Sequence, residues 1–264
     1  MTKHDAILKD GLVSIVVPVY NAENFLPETI GYIQAQTYKE WELLLVDDCS
    51  TDKSREWIET KRKEDDRVKL VVQDKNSGAA KARNRGICEA QGRYLCFLDA
   101  DDIWMPDKLS TQLEYIKEVQ KTSNPQAGFV FMGYEFADEK GSGLGKIVHV
   151  PRQIHYKEAL KNTTIFTSTV MIDRKWIPDE DIYMPCIESE DTATWWQILK
   201  KHGTGYGIDA NLVKYRRSAK TLSSNKLTAI RRIWNLYRKQ EGFGIVVSMY
   251  YMFFWAYRAV LRRI

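Results

Sequence analysis

Much that would announce a function is missing from this 264-residue chain. Its four cysteines, Cys49, Cys88, Cys96 and Cys186, show neither Cys-x-x-Cys nor disulfide-framework spacing, so they read as reduced, cytosolic thiols. No Gly-x-Gly-x-x-Gly follows the first apolar run, which argues against a dinucleotide-binding enzyme on a similar sheet. Met1 to Gly11 is polar and charged with no apolar h-region, so nothing marks the chain for secretion and a cytoplasmic location is expected. There is no internal repeat and no low-complexity linker. Charge of one sign is also scarce overall. With 39 basic against 35 acidic residues the formal balance is +4, too weak to argue for nucleic-acid binding.

What is present is a globular composition, 44% hydrophobic, and one unusual stretch. The apolar run Tyr94-Leu95-Cys96-Phe97-Leu98 ends abruptly in Asp99-Ala100-Asp101-Asp102. An apolar run of that length is a buried strand, so the acids sit at a strand's end. Carboxylates packed this closely raise one another's pKa unless a divalent cation or a ligand's hydroxyl groups hold them together. The competing reading is a solvated acidic turn capping the next helix, which Pro106 would open.

The surrounding pattern alternates. Leu12 to Val19, Trp41 to Val46, Val68 to Val72 and Arg93 to Leu98 read as strands. Helical spacing covers Glu23 to Gln36, a stretch through Trp57 and Ile58, Gly78 to Ala90, and Pro106 to Lys121. Such alternation predicts an α/β fold, a doubly wound and mostly parallel sheet covered on both faces. Ligands bind outside the carboxyl ends of such strands, and the polar clusters fall there: Pro18-Val19-Tyr20-Asn21, Asp47-Asp48, Asp74 to Gly78, and Asp99 to Asp102. Beyond residue 122 the pattern is less regular. Gly128 to Phe136, Thr167 to Ile172 and Tyr206 to Tyr215 have strand character, while Thr192 to Lys201 and Thr228 to Gln240 read as helices, predicting a smaller mixed-sheet half. The expected organisation is a main domain over residues 1–224, divided into 11–122 and 123–224, followed by a helical tail over 225–264.

Bases dominate from Lys200 onward, including Lys214, Arg216, Arg217, Lys220, Lys226, Arg231, Arg232, Arg238, Lys239, Arg258, Arg262 and Arg263. Within this region Ile245 to Tyr257 is strongly apolar and rich in Tyr and Trp, yet shorter than the ~20 apolar residues that cross a bilayer. An interfacial helix drawn to anionic lipid fits these properties. The alternative is a helix docked on its own domain or on a second copy, giving a homodimer.

Taken in order, Ile15-Val16-Val17-Pro18-Val19-Tyr20-Asn21, Leu45-Val46-Asp47-Asp48-Cys49-Ser50-Thr51-Asp52, Asn76-Ser77-Gly78 with Ala82-Arg83-Asn84, and Phe97-Leu98-Asp99-Ala100-Asp101-Asp102 resemble the family 2 glycosyltransferases. Glu190-Asp191 adds a weaker match downstream. The resemblance implies a GT-A nucleotide-diphospho-sugar transferase fold, with a donor half, an acceptor half and a C-terminal helical tail. It implies transfer of a single sugar from a UDP-sugar to a hydroxyl of a saccharide or lipid-linked acceptor in cell-surface polysaccharide or glycolipid assembly, peripheral at the inner face of the membrane. The Gln-x-x-Arg-Trp motif of processive synthases is absent: Trp196-Gln197 is followed by Ile198-Leu199-Lys200.

The roles implied follow the donor's chemistry. Tyr20 offers a π face to the base, and Asp48 can accept from a uracil N–H. Pro18, Asn21, Asn76, Gly78, Arg83 and Ala100 complete the expected donor contacts, Asp99 accepting from ribose hydroxyls. Asp101, with Asp102, would hold Mn²⁺ or Mg²⁺ against the diphosphate, hard oxygen ligands suiting those ions. Asp191 would be the base of an inverting single displacement. Glu190, Trp195 and Trp196 are expected at the acceptor; helical neighbours lie about 100° apart, so the two tryptophans are not expected both to face the core, one lining the acceptor while core packing is the alternative for at least one. The Lys214-Tyr215-Arg216-Arg217 segment is read either as a grip on the diphosphate or as a solvent-facing basic strand. The rival to catalysis is a sugar-nucleotide-binding or membrane-adaptor protein on the same fold.

Overall fold

The structure, a computed structural model, describes residues 8–162, 164–217 and 226–261. Met1 to Ile7, the expected boundary at 224, and Lys220, Arg262 and Arg263 of the basic tail lie outside these residues.

The first half is four strand–helix units. They are β1 (Lys9–Val19) and α1 (Leu26–Gln34), β2 (Trp41–Asp47) and α2 (Ser54–Glu64), β3 (Val68–Val72) and α3 (Ala79–Glu89), then β4 (Gly92–Phe97) and, past a two-residue strand β5 (Ile103–Trp104), α4 (Lys108–Thr122). The order β3-β2-β1-β4 is parallel throughout, so the carboxyl ends of all four strands open on one edge. Successive side chains point to opposite faces of a strand. Accordingly Ile15, Val17, Leu43 and Leu45 enter a core shared with α1 and α4, while Val16, Leu44, Leu95 and Phe97 enter a second core on the other face.

The second half adds β6 (Phe129–Met132), β7 (Tyr134–Ala137), β8 (Gly143–Val148), β9 (Gln153–Ile154), a short α5 (Tyr156–Ala159), β10 (Met171–Asp173), α6 (Asp179–Ile182), α7 (Glu190–His202), β11 (Gly205–Ile208) and β12 (Val213–Arg216). β10 pairs antiparallel to β4 and carries the main sheet on to β6, β11 and β9, while β5, β12, β7 and β8 form a separate four-stranded sheet. Two stretches that alternate like single strands are therefore divided between sheets. Gly128 to Phe136 breaks at Gly133, where an added Cβ would lie 3.1 Å from the Val148 carbonyl oxygen and 3.3 Å from that of Ala210. Tyr206 to Tyr215 breaks over Asp209 to Leu212 in the same way. Alternation reports a pleated surface but not which sheet it joins.

The tail continues as α8 (Lys226–Asn235), a π-helical turn over Leu236–Gln240, and α9 (Ile245–Leu261). Ile233, Leu236 and Tyr237 are buried in the second core, so the start of the tail is part of the folded body. α9 is packed on one side only: Tyr251, Met252 and Trp255 lie against that core, whereas Val246, Met249, Tyr250, Phe253 and Tyr257 are exposed. No helix among the described residues is long and apolar enough to cross a membrane.

Candidate functional site

At the carboxyl edge of the parallel strands a cavity of about 540 Å³ opens. Pro18, Tyr20, Asn21, Asp48, Asn76, Gly78, Arg83, Asp99, Ala100 and Asp101 all line it, together with Val19, Ala22, Phe25, Ala79 and Ala82. The structure thus brings together the ten residues expected at the donor from four separate strand ends.

The loops that carry them brace one another. Asn21 sits at φ 50°, and its Oδ1 accepts from the Thr51 amide at 2.8 Å while its own amide donates to Ser50 Oγ at 3.1 Å. The Asp48 carboxylate is buried and accepts from the amides of Ser77 (2.8 Å) and Gly78 (2.7 Å) and from Gln73 Nε2 (2.7 Å). It therefore shapes the 76–78 wall, where Gly78 takes φ 84°, a conformation that favours glycine. Tyr20 stands at the mouth, 54% exposed, a free ring face at the entrance.

The three acids after β4 have different environments. Asp99 Oδ1 accepts from Arg83 at 2.5 Å, and the other side of that guanidinium reaches Glu190 Oε1 at 2.9 Å. Burial works against the Arg83 charge, but Asp99 and Glu190 hold its pKa above the usual value. Asp101 is pushed up by burial and by the Asp99 charge, and its carboxylate has no ion pair among the described residues. Asp102 is 1% exposed and pushed well up by burial and by Asp99 and Asp101; its oxygens accept from Ser168 Oγ (2.5 Å) and the Arg216 amide (3.3 Å).

These environments decide which acids suit a metal. Among the described residues no three His, Cys, Asp or Glu side chains gather as a metal cage. Mn²⁺ and Mg²⁺ do not need one, since they bind through one or two carboxylates with phosphate oxygens and water completing the shell. Asp101 fits, because it lines the cavity and lacks a cation. Asp102 does not fit: it lies beneath the cavity with its oxygens hydrogen-bonded, and its expected ligand role is corrected to a structural one.

Asp191 lies in the first turn of α7, with Oδ2 accepting from Thr167 Oγ1 at 2.9 Å and Oδ1 from the Thr192 amide at 2.6 Å. It does not itself line this cavity. Glu190, pushed up by burial and by Asp191, ties that turn to the cavity through Arg83. Ser189 precedes both acids at φ 60°, ψ 45°, a left-handed cap that turns the chain into the helix.

Trp195 and Trp196 are not at an acceptor surface, since each is 1% exposed. Trp195 packs on Phe97 and Phe129, with ring centroids at 6.0 and 5.5 Å. Trp196 stacks on Tyr237 of the tail at 5.3 Å and 8° and donates from Nε1 to the Ala159 carbonyl. Neighbours 100° apart face different directions, but α7 is covered by the sheet on one side and the tail on another, so both directions are core. Arg216 also departs from both of its readings. It is buried and its guanidinium bonds the carbonyls of Asp101 (2.9 Å) and Glu139 (3.1 Å) and the Glu28 carboxylate (2.7 Å), so it holds the acidic loop from below.

The residues that sequence reading missed are Thr167 and Ser168. They form a 3₁₀ turn, Thr167–Thr169, ahead of β10 rather than a strand with it. Thr167 holds Asp191, while Ser168 Oγ accepts from the Asp99 amide (3.1 Å) and donates to Asp102. The only trace in the sequence is a run of three hydroxyl residues before an apolar strand, a pattern common in ordinary turns.

Comparison with known proteins follows the same lines. Residues 14–176, more than half of the chain, match the family described as Glycosyl transferase family 2. The chain is 40% identical over 254 residues, 96% of its length and 98% of the relative's, to the Bacillus subtilis (strain 168) protein TuaG, named as a teichuronic acid biosynthesis glycosyltransferase. It is 36% identical over 231 residues, 87% of its length and 86% of the relative's, to Escherichia coli WfgD, named UDP-Glc:alpha-D-GlcNAc-diphosphoundecaprenol beta-1,3-glucosyltransferase. In fold it resembles S. aureus TarS in complex with UDP-GlcNAc (TM-score 0.64, 21% identity, 86% of this chain and 66% of that one). It also resembles the mannosyltransferase PcManGT from Pyrobaculum calidifontis in complex with GDP-Man and Mn²⁺ (TM-score 0.66, 18% identity, 91% of this chain and 69% of that one).

The burial of Trp196 has a measurable consequence. Replacing it by alanine removes a stacked aromatic between α7 and the tail and lowers stability by about 3–5 kcal/mol in urea unfolding. An unchanged urea midpoint accompanied by altered transfer would return Trp196 to the acceptor site.

Proposed function

The chain belongs to glycosyl transferase family 2, and on that basis we propose that it moves a single sugar from a UDP-sugar to a hydroxyl of a saccharide or lipid-linked saccharide, with inversion, during assembly of a cell-surface polysaccharide or glycolipid. The observation that carries this reading is the ion-paired bridge from Asp99 through Arg83 to Glu190, which joins the cavity at the strand ends to the turn that bears Asp191. Relatives named for UDP-Glc support the nucleotide, and their beta-1,3 product supports inversion, since UDP-glucose is α-linked.

In this reading the nucleotide occupies the 540 Å³ cavity with its base against Tyr20 and beside Asp48, and its ribose on Asp99. Arg83 holds the Asp99 carboxylate in place and brings a guanidinium near the diphosphate. The Asp191 carboxylate takes the proton from the acceptor hydroxyl, whose oxygen attacks the anomeric carbon from the face opposite the diphosphate. The bond from the anomeric carbon to the diphosphate oxygen breaks, and UDP leaves with the electron pair. A Mn²⁺ or Mg²⁺ ion bound at Asp101 would offset the negative charge that grows on the departing diphosphate. The exposed apolar face of α9, with Lys161 over the rings of Tyr250 and Phe254 and Arg258 nearby in sequence, is assigned to an anionic membrane surface at which a lipid-linked acceptor is met.

Asp191→Asn should bind UDP as the natural protein does while its turnover with the productive donor, found from a panel of nucleotide sugars, falls about 100- to 10,000-fold. A variant that keeps its turnover excludes Asp191 as base, and a natural protein with no turnover on any donor favours a pure binder. Chelation by EDTA, and separately Asp101→Ala, should each weaken UDP affinity at least tenfold; affinity indifferent to both puts the metal elsewhere. Paired Val246→Glu and Phe253→Glu changes, both on exposed positions, should abolish sedimentation with phosphatidylglycerol vesicles without shifting the melting temperature. Unchanged sedimentation rejects the membrane seat, and a dimer that dissociates in the variant assigns the helix to a second copy.

A further inference from the structure

A second cavity, about 650 Å³, adjoins the donor cavity, the two having Gly78 and Ala79 in common among their lining residues. Its remaining walls are the loop through Cys186, Ile187 and Glu188, Glu190 at the start of α7, and the π-helical turn of the tail with Asn235 before it. We infer that this cavity is the acceptor subsite and that it takes a saccharide bearing an anionic group, which Lys239 of the tail engages. The assignment rests on the donor reading above and moves the acceptor away from Trp195 and Trp196, whose rings are buried.

The walls match such a ligand. Ile187 and Leu236 give apolar surface for the face of a sugar ring, while the side-chain amides of Asn235 and Gln240 have no hydrogen bond among the described residues and can serve hydroxyls. Both carboxylates of the cavity have cationic partners, Glu188 two of its own and Glu190 one that it shares with Asp99. Glu190 is paired with Arg83 at 2.9 Å, and Glu188 with Arg231 at 3.4 Å and Arg232 at 3.5 Å. Lys239 is exposed and has no ion pair among the described residues. The amides of Ala79 and Ala80 begin an 11-residue helix whose dipole is positive at that end. The unpaired side-chain charge in the wall is therefore that of Lys239, which favours an anionic ligand over a neutral one. A π-helical turn in the wall agrees with this, since such turns are concentrated at functional sites.

The exposed thiol of Cys186 in the cavity wall is a reporter. Cys88 is the other exposed cysteine and is removed as Cys88→Ser, leaving Cys49 and Cys96, which are less accessible. In this protein, with the donor cavity saturated by UDP and Mn²⁺, alkylation of Cys186 by N-ethylmaleimide is timed in the presence of α-hexose 1-phosphates (glucose, galactose and their N-acetylamino forms). At least one should slow alkylation about fivefold at a concentration near four times its Kd. Lys239→Gln should raise that Kd about tenfold. The matching neutral methyl glycoside should protect less well. Methyl glucuronide included in the series separates the two sources of the anion: protection by it places the charge on a sugar carboxylate, protection by the 1-phosphates alone places it on a phosphate, and both support the assignment. Absence of protection by every sugar anion, protection unaffected by Lys239→Gln, or equal protection by inorganic phosphate alone would overturn it. Binding of UDP is measured in the same samples, so a failed donor reading shows as lost UDP affinity and a failed acceptor assignment as normal UDP affinity with an unprotected thiol.

Discussion

Arg83 is the residue through which the site holds together. Its side chain is 7% exposed, and it is flanked by two carboxylates from elements far apart in sequence, Asp99 after β4 and Glu190 at the start of α7. A guanidinium stripped of water to this degree is stable only if its charge is met, and it is removal of the arginine itself that would leave two facing carboxylates unmatched. Its planar fork satisfies both acids at once, which a lysine ammonium would not reproduce. Because α3 runs antiparallel to the strands it covers, the same residue that neutralises Asp99 also sets the depth of α7 against the sheet. The first turn of α7 is thereby placed beside the strand ends.

Around that contact the acids are sorted by environment rather than by type. Asp99 is paired, Asp101 is open to the cavity and without a cation, and Asp102 is closed off by Ser168 and Arg216. Three adjacent carboxyl groups would otherwise repel one another and titrate together. The Thr167–Thr169 turn links this loop to α7, since Ser168 bonds on the Asp99 and Asp102 side and Thr167 on the Asp191 side. A shift of the turn would move both groups, so the acidic loop and the expected base are mechanically one unit.

The tail belongs to this unit more than its composition suggests. Tyr237 stacks on Trp196 and donates to the Leu160 carbonyl, and Leu236 is buried beside it, so α7 is enclosed on the side away from the sheet. That enclosure explains why two adjacent tryptophans are both core residues. It also leaves the next residues of the same turn, Lys239 and Gln240, facing a cavity instead of solvent alone. α9 then presents a bare apolar face, so one continuous segment joins the core, a cavity and an unpartnered surface.

The donor side was legible in the chain itself because its residues, Arg83 of α3 apart, lie at a strand end or in the loop that follows it, and a parallel sheet aligns those ends. The period of the strands and the polar clusters that follow them pointed to these ends as the site, and the family resemblance named Pro18, Tyr20, Asn21, Asp48, Asn76, Gly78, Arg83, Asp99, Ala100 and Asp101, which line one cavity. Where strands 128–136 and 206–215 divide, which acid of Asp101 and Asp102 faces outward, and whether Trp195 or Trp196 meets solvent were not legible. Each depends on a neighbour supplied by a distant segment: the Val148 and Ala210 carbonyls at Gly133, Ser168 and Arg216 around Asp102, and the tail over α7. Local pattern expresses what a residue needs, burial or water, charge or partner. Only the packed chain settles which partner meets that need, because contacts between segments a hundred residues apart leave no periodic mark on either one.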